Sequence, residues 1–188
     1  MITIGKDQTK FIPILLSFPR KRESRTWIPD QVGKDRLQTL DVVLAGENAS
    51  VAVIGLVLGK RDEEKVLEVN ITHAALKTKS DVRVKGVLRG RSKFDFRGNV
   101  KIEKGAKGSD AYLRSDVLLF DEAKMGDDTP ALEILEPDVK AGHAATVGKA
   151  DENMIFYLMS RGLSRKQAEG MIVEGFVGEV RERIEKGE

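Results

Sequence analysis

The sequence predicts a mainly β protein, a parallel β-helix followed by a small C-terminal α-helical domain. Three observations carry this. Short segments alternate apolar and polar residues with period two: Val51, Val53 and Val57; Leu67, Val69 and Ile71; Val82 and Val84; Phe94 and Phe96; Val100 and Ile102; Val117 and Leu119; Leu132 and Ile134. Such alternation marks strands with one buried face. Comparable residues then recur loosely along the chain. Val53, Val69, Val84, Val100, Val117 and Ile134 lie 15 to 17 residues apart. A recurrence of strands without intervening helices suits a solenoid, each strand stacking on its counterpart one coil earlier. A β-sandwich also has short strands, but its turn signals fall every 8–12 residues or so. Finally, the pattern changes from strand to helix after Gly148.

The elements follow in order. Residues 1–37 read as a poorly patterned basic arm, with eight basic side chains against four acidic ones. Lys6 and Lys10 precede the apolar run FIPILLSF, as in an export signal. However, Pro13 interrupts that run and PRKRESR stands where a small-residue cleavage site belongs. The stretch SFPRKRESRTWIPDQVGKDRL resembles the peptide produced when a dispersed bacterial intergenic repeat is translated in frame. Its basic cluster with Trp27 also has the composition of a nucleic-acid contact, but an unpatterned polar arm rarely offsets its ordering entropy. Residues 38–148 form the β-helix core. Its strands are punctuated by turn formers such as Gly46-Glu-Asn48, Gly59-Lys-Arg-Asp62, Arg89-Gly-Arg91 and Gly98-Asn99.

Residues 149–188 form the helical domain. Asp151 is placed to N-cap a first helix that a glycine, Gly162, closes. Ser164 and Gln167 have capping-box spacing. Behind them Ala168, Ile172, Phe176, Val180 and Ile184 repeat every four residues as an apolar stripe. Gly170, Gly175 and Gly178 weaken this second helix by about 1 kcal/mol each relative to Ala. They imply close packing against a neighbour. Phe156, Tyr157 and Leu158 read as core.

Composition excludes several classes. The 188 residues carry 32 basic and 30 acidic side chains, a net charge of +2 that favours no electrostatic partner. Nucleic acid is therefore not an expected ligand. With no cysteine the chain has no disulfide, no thiolate ligand and no cysteine nucleophile. Two histidines, His73 and His143, are too few for a His-rich metal site in one copy. No apolar run approaches the roughly 18 residues of a membrane span. The stretch from Gly55 to Arg61 lacks the spacing and the hydroxyl of a phosphate-binding loop. One Trp and two Tyr give little support for a carbohydrate-acting β-helix protein.

An ordered set of motifs carries a resemblance. These are His73 with Ser80, Lys85-Gly-Val-Leu88, Phe96-Arg-Gly98, Thr129-Pro-Ala-Leu-Glu-Ile134, Val139 through Gly148, and Phe156-Tyr-Leu-Met-Ser-Arg-Gly162. From about Leu40 to Val180 the chain is similar to the SufB/SufD family, scaffold subunits of the SUF iron–sulfur cluster assembly machine. The resemblance implies a right-handed, here partial, β-helix with a helical tail. It implies a cytoplasmic scaffold, not an enzyme, that pairs with a SufB-type subunit and binds a SufC-type ABC ATPase. It also implies more sequence upstream, so the chain reads as an N-terminally truncated member. An uncapped solenoid edge would favour homo-oligomers in isolation.

The SufB type resembles Asp-Cys-Gly-Ala-His-Thr before its proline. Here Ala123-Lys-Met-Gly-Asp-Asp-Thr-Pro130 stands instead, with Met125 nearest the cysteine. A thioether supplies no anionic bridging sulfur, so the SufD-like reading is preferred over a SufB-like one. His143 matches the family histidine that faces the subunit interface. It is the candidate cluster contact, and a metal ligand only together with partner ligands. Ala141 stands where many SufD members have a cysteine. No cofactor is then bound tightly by this chain alone, and an iron–sulfur cluster would visit transiently at the interface. Arg161, Gly162, Ile172 and Phe176 are the candidate ATPase contacts. His73 reads as a turn or packing residue. A nonfunctional family fragment is the alternative.

Overall fold

Alternating strands need a partner for the apolar face and a neighbour for the backbone, and parallel coiling supplies both at once. The structure, a computed structural model, describes residues 1–16 and 37–187. Its strands in chain order are Ile2–Ile4 (β1), Thr9–Leu16 (β2), Leu37–Leu44 (β3), Ser50–Gly59 (β4), Glu64–His73 (β5), Lys79–Leu88 (β6), Lys93–Ile102 (β7), Asp110–Leu119 (β8), Lys124–Ile134 (β9) and Lys140–Lys149 (β10). The helices Glu152–Ser160 (α1) and Arg165–Lys186 (α2) follow. Odd-numbered strands form one five-stranded sheet, β1-β3-β5-β7-β9, and even-numbered strands the other, β10-β8-β6-β4-β2. The paired strands are parallel throughout. The parallel β-solenoid with two C-terminal helices agrees with the sequence reading.

The meaning of the recurrence differs from that reading. Leu37 pairs with Val66 and Glu64 with Lys93, a step of 29 residues. The spacing near 16 residues is therefore one strand plus one corner, half a coil. Each strand stacks on the strand two before it. Residues from Val53 to Ile134 in the recurring set alternate between the sheets because the chain visits them in turn.

Inside, rows of stacked side chains run along the axis. One is Ile12, Val53, Val82 and Leu113, in direct register on successive even strands. Phe94 and Phe96 sit with ring centroids 6.3 Å apart, both fully buried. Gly98 faces inward too, and a Cβ there would lie 2.4 Å from a Leu113 methyl. The corners need left-handed backbone at repeating positions: Asp7, Asn48, Lys77 and Gly108 at one, Arg61, Gly90 and Asp121 at the other. On the outer face of the odd sheet, Asn70 donates to Asp41 at 2.9 Å and Asn99 donates to Asn70 at 2.8 Å, forming an amide ladder.

The first sixteen residues correct the arm reading. Ile2–Ile4 pairs with Val42–Leu44, and Thr9–Leu16 with Ser50–Val57. Ile4 and Ile14 join the core. The order of these strands comes from pairing with β3 and β4, which their own patterning did not announce. Pro13 is tolerated because β2 is an edge strand with one unpaired side. The rest of the arm reading, including Trp27 and the basic cluster, lies outside the described residues. Register nevertheless fixes a length. Ile2 pairs with Val42, a step of 40 where the next coils take 29 and later ones 30 or 31, and the surplus falls between β2 and β3.

The helical caps match the sequence reading. Asp151 accepts from the Asn153 amide at 2.9 Å, and Ser164 and Gln167 form a reciprocal capping box. The α2 glycines do not. Beside a Cβ built on Gly170, Gly175 or Gly178 there is nothing within 4 Å, so they serve no close packing. The helix sits on the outer face of the even sheet, where Val177 and Val180 pack with Ile54, Leu56, Val87 and Phe120.

At one corner His73 is fully buried. Its Nδ1 bonds Thr78 Oγ1 and its Nε2 bonds Ser80 Oγ, each at 2.8 Å, and Thr78 continues to Ser109 at 2.7 Å. Burial holds the ring's pKa at about 4 against an ordinary 6.5, with a smaller upward pull from Asp110. A folded value below the unfolded one means that stability is complete above pH 6.5 and is lost as pH falls toward 4. That window is worth about 3 kcal/mol. Denaturant titrations from pH 7 to pH 4 should show this loss in the wild type. In His73→Gln it should be absent above the carboxylate range, with a lower plateau at pH 7. A second outcome follows from register: shortening the β2–β3 connection by 11 or 12 residues should leave Tm within a few degrees, because closure cost varies slowly with length.

Candidate functional site

The solenoid's C-terminal end is open. Strands β9 and β10 are the last of their sheets, each with one side unpaired among the described residues. In β9 the register slips: Phe94 faces Met125 but Phe96 faces Asp128, so three residues of β9 match two of β7. This bulge re-aims the chain. Asp127 takes the outer side, its amide donating to Asp95 at 2.8 Å, and its carboxylate pairs with Arg97 at 3.3 Å. Asp128 turns toward Ser115, whose hydroxyl donates to both carboxylate oxygens at 2.8 and 3.0 Å. Burial pushes the Asp128 carboxyl up from its ordinary value; the Ser115 bond pulls it down, and the charges of Asp127 and Asp116 add to the rise.

His143 occupies the matching place on the other sheet. It pairs with Leu113 and so ends the row that begins at Ile12. Leu113 is wholly buried, whereas His143 is exposed, because no further coil covers it. The row's last rung is therefore an imidazole, and the row through Phe96 ends in a carboxylate. Further along the same coil Ile134, Leu135 and Val147 are 45%, 51% and 43% exposed. Met125 is half-buried and packs on the core as an ordinary filler. Ala141 pairs with Ala111 in the same half-covered end coil. Among the described residues no group of three or more His, Asp or Glu side chains is arranged to hold a metal ion.

The other candidates lie on the helices and do not join His143's strand. Arg161 caps α1 and its guanidinium lies 5.2 Å from the Tyr157 ring centre. Gly162 follows at φ +94°, a conformation that favours glycine, and turns the chain into α2. Arg165 ties the two helices together, bonding Glu152 at 2.6 Å and Glu169 at 2.9 Å. Ile172 is half-buried. Phe176 faces the solenoid: Lys85 lies 4.9 Å above its ring and donates to its carbonyl at 2.6 Å. Its ring is thus part of the seat of α2.

Sequence reasoning also mistook the apolar run of α1. Phe156 is 72% and Tyr157 55% exposed, beside exposed Met154, Met159 and Met171, while α1 buries only Ile155. The six consecutive apolar residues from Met154 to Met159 pass all the way round the helix, so the run by itself does not tell its inner from its outer side. Asp128 was missed because its inward turn needs the bulge; the signal was two adjacent acids following a glycine within a strand.

Among the described residues the chain is a parallel β-solenoid with a polar-tipped last coil and an exposed apolar helical hairpin, and no helix is long and apolar enough to cross a bilayer. Residues 28–176 match the family model described as SUF system FeS cluster assembly, SufBD core domain. The chain belongs to the SufBD family. It is 38% identical over 152 residues to an iron-sulfur cluster assembly SufBD family protein of Mycobacterium bovis, covering 80% of this chain and 18% of that one. It is 36% identical over 125 residues to Bacillus subtilis iron-sulfur cluster assembly protein SufD, covering 66% and 29%. Against Bacillus subtilis SufB the figures are 31% over 152 residues, covering 80% and 33%. The chain thus spans roughly a fifth to a third of these relatives' length.

The two aromatic positions should behave oppositely. Phe176→Ala should lower unfolding stability by about 1–2 kcal/mol, a part-buried share of a core truncation. Phe156→Ser should change it by less than about 0.5 kcal/mol. Parallel denaturant titrations check both.

Proposed function

We propose that the chain is a SufD-like scaffold subunit of a cytoplasmic iron–sulfur assembly complex. It pairs with a SufB-type subunit through the open end of the solenoid and binds a SufC-type ABC ATPase through its helical hairpin. The observation that carries this reading is the end coil, where stacked apolar rows terminate in Asp128 and His143 and where Ile134, Leu135 and Val147 are exposed further along the same coil. Two strands with free backbone edges and a partly apolar end invite a second protein to continue the sheets. The exposed side chains of α1, with Arg161 and Gly162 at its end, offer the ATPase a separate surface. Ile172 belongs to that surface only at its margin, and Phe176 supports it from below.

The chain does no bond-making chemistry in this reading. The cluster is cargo that reaches the subunit interface. There His143 offers an imidazole, a reasonable iron ligand when a partner supplies thiolates. Met125, nearest the position where the SufB type has a cysteine, favours the SufD-like over the SufB-like role, and Ala141 leaves any thiolate to the partner. Similarity to both B. subtilis proteins leaves the family itself unaffected by that choice.

Co-expression of the tagged full chain with SufB-type and SufC-type proteins, followed by affinity purification, tests the assignment. Ile134→Asp with Val147→Asp should cut recovered SufB-type subunit at least about tenfold and leave the ATPase, as expected for the loss of apolar interface anchors. Phe156→Asp with Tyr157→Asp should do the reverse. His143→Ala should retain both proteins yet lower the iron and sulfide that copurify. Recovery of neither protein with the wild-type chain would overturn the reading.

A further inference from the structure

We propose that α2 is a releasable strap, which leaves the outer face of the even sheet as a unit while the solenoid stays folded. The motivation is how it is held. Outward-facing residues of β6, the strand beneath it, and Arg89 just beyond its end meet α2 in antiparallel order. Asp81 pairs with Arg183 at 3.3 Å, Arg83 with Glu179 at 3.1 Å, Lys85 with the Phe176 carbonyl at 2.6 Å, and Arg89 with Glu169 at 2.6 Å. This is a charged zipper along one strand. Most of its members are a quarter to a half exposed, the range in which dissolved salt screens attraction.

The apolar part of the seat is narrow. Of the 22 residues of α2 only Ala168, Val177 and Val180 are buried. Packing beneath the C-terminal half is incomplete, since a cleft of about 130 Å³ lies between Lys85, Arg114, Asp116, Glu179 and Val180. The helix contributes little stability of its own, with three glycines that pack against nothing within 4 Å. It is joined to the solenoid only through α1, which begins at Glu152 after β10 ends at Lys149. By contrast, the strands beneath are locked on both sides by neighbours in register. Regions held by few buried contacts open at free energies below that of global unfolding.

Release has a chemical consequence. It uncovers an apolar strip formed by Leu15, Ile54, Leu56, Val87 and Phe120, which α2 otherwise hides. The strap therefore gates an apolar sheet face, and ionic strength sets how often it lifts. This inference stands on the α2–β6 contacts alone and is independent of any partner assignment.

Hydrogen–deuterium exchange of the full chain at low and at high sodium chloride tests it. Peptides within Arg165–Lys186 should exchange uniformly and, on raising salt, roughly fivefold faster, the size expected when several exposed pairs are screened. Peptides of β5 to β8 should not change. Arg83→Gln with Arg89→Gln should abolish the salt response. Gly175→Ala with Gly178→Ala should slow exchange of α2 at least about tenfold by raising helix propensity. Exchange of α2 in step with the strands at both salt concentrations would overturn the proposal, as would acceleration confined to the terminal turns. The wild-type salt comparison decides the matter even if a variant fails to fold.

Discussion

In-register stacking of inward side chains is the constraint on which the rest of the molecule depends. A parallel coil brings residues about 30 positions apart into direct contact, and period-two alternation means that a slip of one residue would turn an entire strand inside out. Every corner must therefore return the chain to phase. Left-handed backbone at equivalent positions of successive corners does this, with glycine at Gly90 and Gly108 and tolerated side chains elsewhere. Where phase is broken on purpose, in β9, the extra residue is the device that swings Asp128 toward the interior and Asp127 away from it.

Most of this architecture was legible. Alternation named the strands from β4 to β9, and the capping residues Asp151 and Ser164 located both helices. The recurrence was visible, but one-dimensional spacing cannot tell a half-coil from a coil, because Val53 and Val69 look alike although they belong to different sheets. β1 and β2 were hidden for another reason: Ile4 and Ile14 acquire an interior only from β3 and β4. The α2 glycines showed the limit of composition. A glycine signals close approach or mere indifference, and only the neighbours decide which.

The site was legible in part. His143 stood out as a rare residue type, and the register places it at the tip of an apolar row. The sequence does not reveal that the row ends there. Nor does it separate Phe156 from Phe176, aromatic residues on consecutive helices. One is left in solvent by a helix with a single buried side chain, and the other is pinned under Lys85. The same physics divides the surface into two working regions. The last coil has backbone and core left over because nothing among the described residues stacks on it, and the helical hairpin exposes apolar side chains because it covers only the even sheet.

The amide ladder on the odd sheet has a directional consequence. Asp41, when ionised, can only accept, so the Asn70 side chain must present its NH₂ group downward and its carbonyl upward, and Asn99 inherits that choice. Each dipole polarises the next. The result is a row of aligned amides whose sense is held at its foot by two acceptors, Asp41 at 2.9 Å and Glu68 at 3.3 Å, both bonded by the Asn70 NH₂ group. A polarity set by acidic side chains on the first coils is thereby handed on, through one amide, to a coil that carries no acid in that row.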